Sequence, residues 1–154
     1  MTDSSNKKHN RRNFISATAA TLTASTMVHS ATAALAAEQL PVSGYARDMY
    51  EFVLDAYTTN PDKNDWEKTR DAIYQRYQIR GEGGYRYSRP FDAGINFAAS
   101  LISLFYGEGD FRRTVQIASL AGWDSDNPAA TWGGLLGFIL GKDGIERTFQ
   151  RRFS

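Results

Sequence analysis

Beyond residue 45 the apolar residues recur every three or four positions, the interval of one helix face, and nowhere alternate over a useful length. The stretch "YARDMYEFVLDAY" (45–57) sets Ala46, Met49, Tyr50, Val53 and Tyr57 on one stripe. Pro61 in "TTNPDKND" forbids continuation, and Asn64 is placed to cap the next helix. "DWEKTRDAIYQRYQ" (65–78) repeats the pattern through Trp66, Thr69, Ile73 and Tyr77. A glycine-rich loop with arginines and tyrosines follows, "RGEGGYRYSRP" (80–90). Asp92 then suits an N-cap, ahead of an apolar face of Ile95, Ala98, Leu101, Ile102 and Phe105. "GEGD" (107–110) makes a tight connection, with Asp110 as cap for a helix that turns Phe111, Val115, Ala118 and Leu120 or Ala121 inward. Gly122 suits the position just past its end. Asn127 and Pro128 have the form of a last helix start, Asn at N-cap and Pro at the first helical position. The pattern predicts an all-α fold, an orthogonal or irregular bundle of about five helices.

The first 37 residues have another character. Lys7, Lys8, Arg11 and Arg12 precede a long Ala/Thr/Ser run, and Ala34-Leu35-Ala36 supplies small residues of the kind signal peptidase needs. Arg11-Arg12 followed by Asn13, Phe14 and Ile15 is similar to a twin-arginine export signal. A low-complexity tail is the alternative. The expected organisation is therefore a signal over 1–37 and a helical domain over 38–154, periplasmic or secreted. Losing four basic residues and Asp3 with the signal turns the formal charge of +1 into −2. No basic patch points to nucleic acid. The most apolar run, 129–141, falls short of the roughly 20 residues that span a bilayer, so no stable membrane insertion is expected once the signal is removed.

The inventory narrows the chemistry. The chain has no cysteine, and its two histidines, His9 and His29, both lie in the N-terminal segment. A thiolate site, a cysteine nucleophile or a histidine base in the helical body is excluded. Carboxylates, hydroxyls and backbone groups must carry any reaction, and no catalytic residue can be named from the sequence.

One segment stands out, "GWDSDNPAATWGG" (122–134). Asp124 and Asp126 fall in the connection before the last helix, near its positive end. Two residues apart, their oxygens can converge on one hard cation if the loop bends. Ordinary capping is the alternative. The helix beyond carries Gly133, Gly137 and Gly141 at four-residue intervals. Each glycine costs roughly 1 kcal/mol relative to alanine inside a helix, so close approach of a second helix is expected as compensation.

"GWDSDNPAATWGGLLGFILGKDGI" resembles the C-terminal motif of the ADP-ribosylglycohydrolases, the relatives of dinitrogenase reductase-activating glycohydrolase. "NFAASLISLFYGEGDFRRTVQIASLAGWDSD" (96–126) resembles the same family. The close likeness runs over about 92–146, with a looser one back to about 45, which suggests the C-terminal half only. The resemblance implies an all-α fold with a two-magnesium centre, hydrolysing the glycosidic bond of an ADP-ribosylated protein or a small ADP-ribosyl compound. Carried over, Asp124 and Asp126 become Mg2+ ligands. Asn127 takes a position where many members have a hydroxyl ligand, so its amide oxygen would substitute. The second acidic cluster that the family adds from its N-terminal half has no counterpart here. A partner chain or self-association would have to complete the centre; otherwise the chain is an inactive remnant that binds ADP-ribose or metal, or an interaction module. Tyr85, Arg86, Tyr87 and Arg89 could meet an adenine and phosphates or form a plain surface loop, and Trp123 could line a ligand pocket or be buried in the core.

Overall fold

Tyr45–Thr59 (α1) is helical because its apolar residues share one stripe, and that stripe is what it buries: Met49, Tyr50 and Val53. In this computed structural model residues 38–153 are described, and Val42–Ser154 forms one compact unit. The export signal expected over 1–37 lies outside the described residues. Helix α2 is Glu67–Ile73, which runs on into a π-helical segment, Tyr74–Arg80. A short 3-10 turn, Glu82–Gly84, leads to α3 (Ala93–Gly107), α4 (Phe111–Leu120) and α5 (Asp126–Phe149). The described residues are all-α, with no strand.

Helix α3 is the axis of the unit and packs against each of the other four. It is apolar on most sides, as a central helix must be. Ile95, Ala98 and Ile102 are fully buried, together with Tyr106, while the expected Phe105 is only half-buried. On α2 the stripe of Trp66, Thr69, Ile73 and Tyr77 is buried as the spacing predicts. On α4 the buried set is Thr114, Ile117 and Ala118, with Ala121 just beyond, and Leu120 points to solvent. Phe111 and Val115 are half-buried, because the partner on that side is the peripheral α5.

Caps divide into those the residue type secures and those that tertiary structure reassigns. The Asp110 carboxylate accepts the Arg113 main-chain N–H at 2.7 Å, the interaction expected of an N-cap. Asp92 is the N-cap of α3, but its carboxylate accepts from Ser88 and Arg89 on the preceding turn instead. Asn64 does not cap α2, which starts after Trp66 without a side-chain cap. The Asn64 main-chain N–H donates to Asp62, and its Oδ1 accepts from Arg113 on α4.

An ion and hydrogen-bond network fixes the π-helical segment. Arg76 bridges Asp48 of α1 at 3.0 Å and Glu82 of the 3-10 turn at 2.9 Å. The Tyr77 hydroxyl donates to the other Asp48 oxygen at 2.6 Å. Tyr87 is structural: its ring lies where a Cβ on Gly94 would fall, 2.2 Å from the Tyr87 Cζ. No helix among the described residues is long and apolar enough to cross a membrane.

Candidate metal centre

The link between α4 and α5 is short and sharply bent. Gly122 (φ 95°) and Trp123 (φ 57°) both have positive φ, which reverses the chain in two residues. Glycine adopts this freely, whereas at tryptophan it is strained. The strain is held by the Trp123 indole, whose Nε1–H donates to Gln78 Oε1 at 2.7 Å. Gln78 belongs to the π-helical segment, so the irregular turn there presents the acceptor that holds Trp123.

One residue on, the Asp124 main-chain N–H donates to Asn96 Oδ1 at 3.0 Å. The Asn127 N–H donates back to the Asp124 carbonyl at 3.1 Å and starts α5. This corrects the expected geometry. The last helix begins at Asp126, two residues ahead of Pro128, with Ser125 as N-cap and no side-chain cap. Asp126 and Asn127 therefore lie on the first helical turn, exposed, and only Asp124 stays in the connection. The cause is the bend at Gly122-Trp123, which brings Asp124 to helical reach of Asn127 without an Asn cap.

The two carboxyl groups act on one another electrostatically. A hydrogen bond with Asp126, some loss of solvent and repulsion from the same neighbour hold the Asp124 carboxyl above the ordinary carboxylate range. No basic side chain among the described residues pairs with either. Two adjacent, uncompensated carboxylates at a helix N-terminus are hard oxygen donors of the type that suits Mg2+. To that extent the residues fit the cation. Among the described residues no group of three or more acidic or imidazole side chains gathers to hold a metal. The pair offers two carboxylates and no third, and Asn127 follows Asp126 on the first turn of α5.

The glycine stripe behind the loop is only partly a packing seam. A Cβ on Gly133 would meet Val115 of α4 at 3.3 Å, a tight approach, and one on Gly137 would meet Phe111 at an ordinary 3.7 Å. Gly141 is different: with φ 65° and ψ 175° it breaks α5, and nothing packs on it. Tethers from side chains supply the remaining hold. The Trp132 indole donates to the Ser100 carbonyl of α3 at 3.0 Å, and Arg112 of α4 donates to the Thr148 carbonyl at 2.9 Å.

Trp123 is half-buried and engaged with Gln78, which leaves it beside the acidic pair without being in the core. Two surface hollows lie elsewhere. One, of about 420 Å³, is lined by residues such as Trp66, Arg113 and Gln116; the other, of about 530 Å³, by Glu146, Arg147 and Arg151. Neither includes Asp124 or Trp123. Asn96 and Gln78 escaped the sequence reading. Asn96 had one signal, an amide between Ile95 and Phe97 on a helix whose other polar side chains are two serines and Tyr106. Gln78 had none, because its role depends on the π-helical register.

The family model for ADP-ribosylglycohydrolase matches residues 5–153. The likeness is therefore not confined to the C-terminal half: it reaches well ahead of residues 45 and 92, and into the stretch expected to be an export signal. No curated protein and no solved structure matches the chain.

Proposed function

Given that the chain belongs to the ADP-ribosylglycohydrolase family, we propose that it is a Mg2+-dependent hydrolase of the glycosidic bond in ADP-ribosyl compounds. The observation that carries the proposal is the family match running through a link in which Asn96 of α3 braces Asp124 just ahead of Asp126 on the first turn of α5. Asp124 and Asp126 would hold the cation, with the Asn127 amide oxygen as a further ligand from the same turn. When bound, the cation supplies Lewis acidity toward the ribose oxygens and toward a water attacking an oxocarbenium-like centre. The chain's own contribution is to hold the two oxygen donors on a braced link, with Asp124 next to the half-buried Trp123. The substrate is an ADP-ribosylated protein side chain or a small ADP-ribosyl compound.

Because the described residues provide two acidic ligands and no cluster of three, the remaining positions of the cation fall to water, to substrate oxygens or to a second copy of the chain. Mg2+ commonly keeps several waters, so a two-carboxylate site is chemically adequate for weak binding. The proposal includes export to the periplasm or beyond through Arg11-Arg12. Intact mass of the protein recovered from its host tests this: loss of about 37 residues supports export, and retention of the segment within the family-matched domain goes against it.

The decisive assay is thermal melting of the chain with and without millimolar Mg2+ or Mn2+, alongside release of ADP-ribose from modified arginine or serine peptides. Cation-dependent stabilisation and release are expected in the parent, and both are expected to be lost in Asp124→Asn. Stabilisation without release would leave a metal-binding remnant. Absence of both would refute the hydrolase.

A further inference from the structure

We infer that Asn96 is a positioning residue for the Asp124–Asp126 pair, setting the place of the Asp124 main chain from the interior of α3. The inference rests on the functional reading above. Asn96 is buried, at 8% exposure, and its side chain is fully engaged. The Oδ1 accepts the Asp124 N–H at 3.0 Å. The Nδ2 donates to the Pro90 carbonyl at 2.7 Å and to the Asp92 carbonyl at 3.1 Å. Those two bonds fix the amide plane, and so fix the direction in which Oδ1 faces the acidic loop.

Burying an amide costs free energy unless every polar atom is satisfied. Asp124 is a half-exposed residue of an irregular link, and its N–H finds a fixed acceptor in a buried side chain of α3. What it adds is position. Asp126 is located by the first turn of α5, while Asp124 belongs to the link, so the placement of one against the other depends on what holds the link. Gln78 holds it at Trp123 and Asn96 holds it at Asp124, from two different helical elements. Only the second bond falls on a residue of the acidic pair. Outer residues that orient metal ligands typically change metal affinity by about 10–100-fold when removed.

Asn60 is a matched control. It too is a buried asparagine, at 5% exposure, and its Nδ2 donates to the Asp65 carbonyl at 2.8 Å and to the Tyr106 hydroxyl at 3.1 Å. None of its bonds reaches the α4–α5 link. Calorimetric titration of the full chain with Mn2+ is the test, with melting temperature recorded without metal for each variant. Asn96→Ala and Asn60→Ala are both expected to melt lower than the parent. Asn96→Ala is expected to weaken Mn2+ binding about 10-fold or more, whereas Asn60→Ala leaves it unchanged. Amide exchange adds a readout without metal: protection at Asp124 is expected to vanish in Asn96→Ala alone. Parent-like Mn2+ affinity in Asn96→Ala would overturn the positioning role while leaving the metal reading intact. Equal weakening in Asn60→Ala would also overturn it, as loss of stability alone would then explain the effect. No Mn2+ uptake by the parent would sink the metal reading itself, and the positioning role with it.

Discussion

Replacing Gly107 by alanine should destabilise the helical unit, and replacing Gly134 should stabilise it, although both glycines lie in α-helices. Gly107 ends α3 where α4 crosses it. A Cβ there would lie 2.0 Å from Thr114 Oγ1, 2.8 Å from Thr114 Cβ and 2.9 Å from Thr114 Cα. The hydroxyl can rotate away, but the Cα is backbone. Ordinary contact begins at 3.4 Å, so the helices must part by about 0.5 Å. Thr114 is 1% exposed, so no free space absorbs the shift. Overpacking of this kind costs about 1–3 kcal/mol. Gly134 has nothing within 4 Å of its Cβ position and does not have a positive φ. Alanine there recovers helix propensity and restricts the unfolded chain, a gain of about 0.4–1 kcal/mol. Urea denaturation followed by helix circular dichroism measures both, with the slope of each transition checking that only stability has changed. The reasoning about close approach fails if Gly107→Ala unfolds within about 0.5 kcal/mol of the parent, or if Gly134→Ala is the more damaging of the two.

Tyr106→Phe removes the hydroxyl that bonds Asn60 at 3.1 Å and Thr69 at 2.7 Å in a fully buried site. The Thr69 hydroxyl is then left without that partner, and a loss of about 1–3 kcal/mol is expected in the same urea assay; an unchanged midpoint would contradict it. Asp126→Asn takes away the neighbour that raises Asp124, so the Asp124 titration should move down toward its ordinary value of 3.8, read by carboxyl NMR. In the parent the folded state binds that proton more tightly than the unfolded state. The contribution of the pair is therefore fully present below the ordinary value and is lost as pH rises through the raised folded one, a decline the variant should lack. Gly141→Ala places a side chain at φ 65° and should cost about 1–2 kcal/mol through strain alone, since the space around it is open; a neutral effect by thermal melting would show that the break in α5 relaxes freely.

Helix existence and order were legible in the chain, and so was an inward face such as Trp66, Thr69, Ile73 and Tyr77, whereas α4 buries Thr114 and Ile117 in place of the expected Phe111 and Val115. The acid pair was legible as well, since residue type and a spacing of two are local properties. Tertiary structure decided the rest. Where Asp124 lies ahead of Asp126 depends on the bend at Gly122-Trp123 and on acceptors from Gln78 and Asn96, which lie 45 and 28 residues away in sequence. The same holds for the glycines of α5. Their spacing is written in the sequence, but Gly133 faces Val115, Gly134 faces open space and Gly141 breaks the helix, three outcomes that an even spacing does not distinguish. Periodicity reports which side of a helix avoids water; it carries no record of what stands across from that side, and that is where ligand placement and packing are settled.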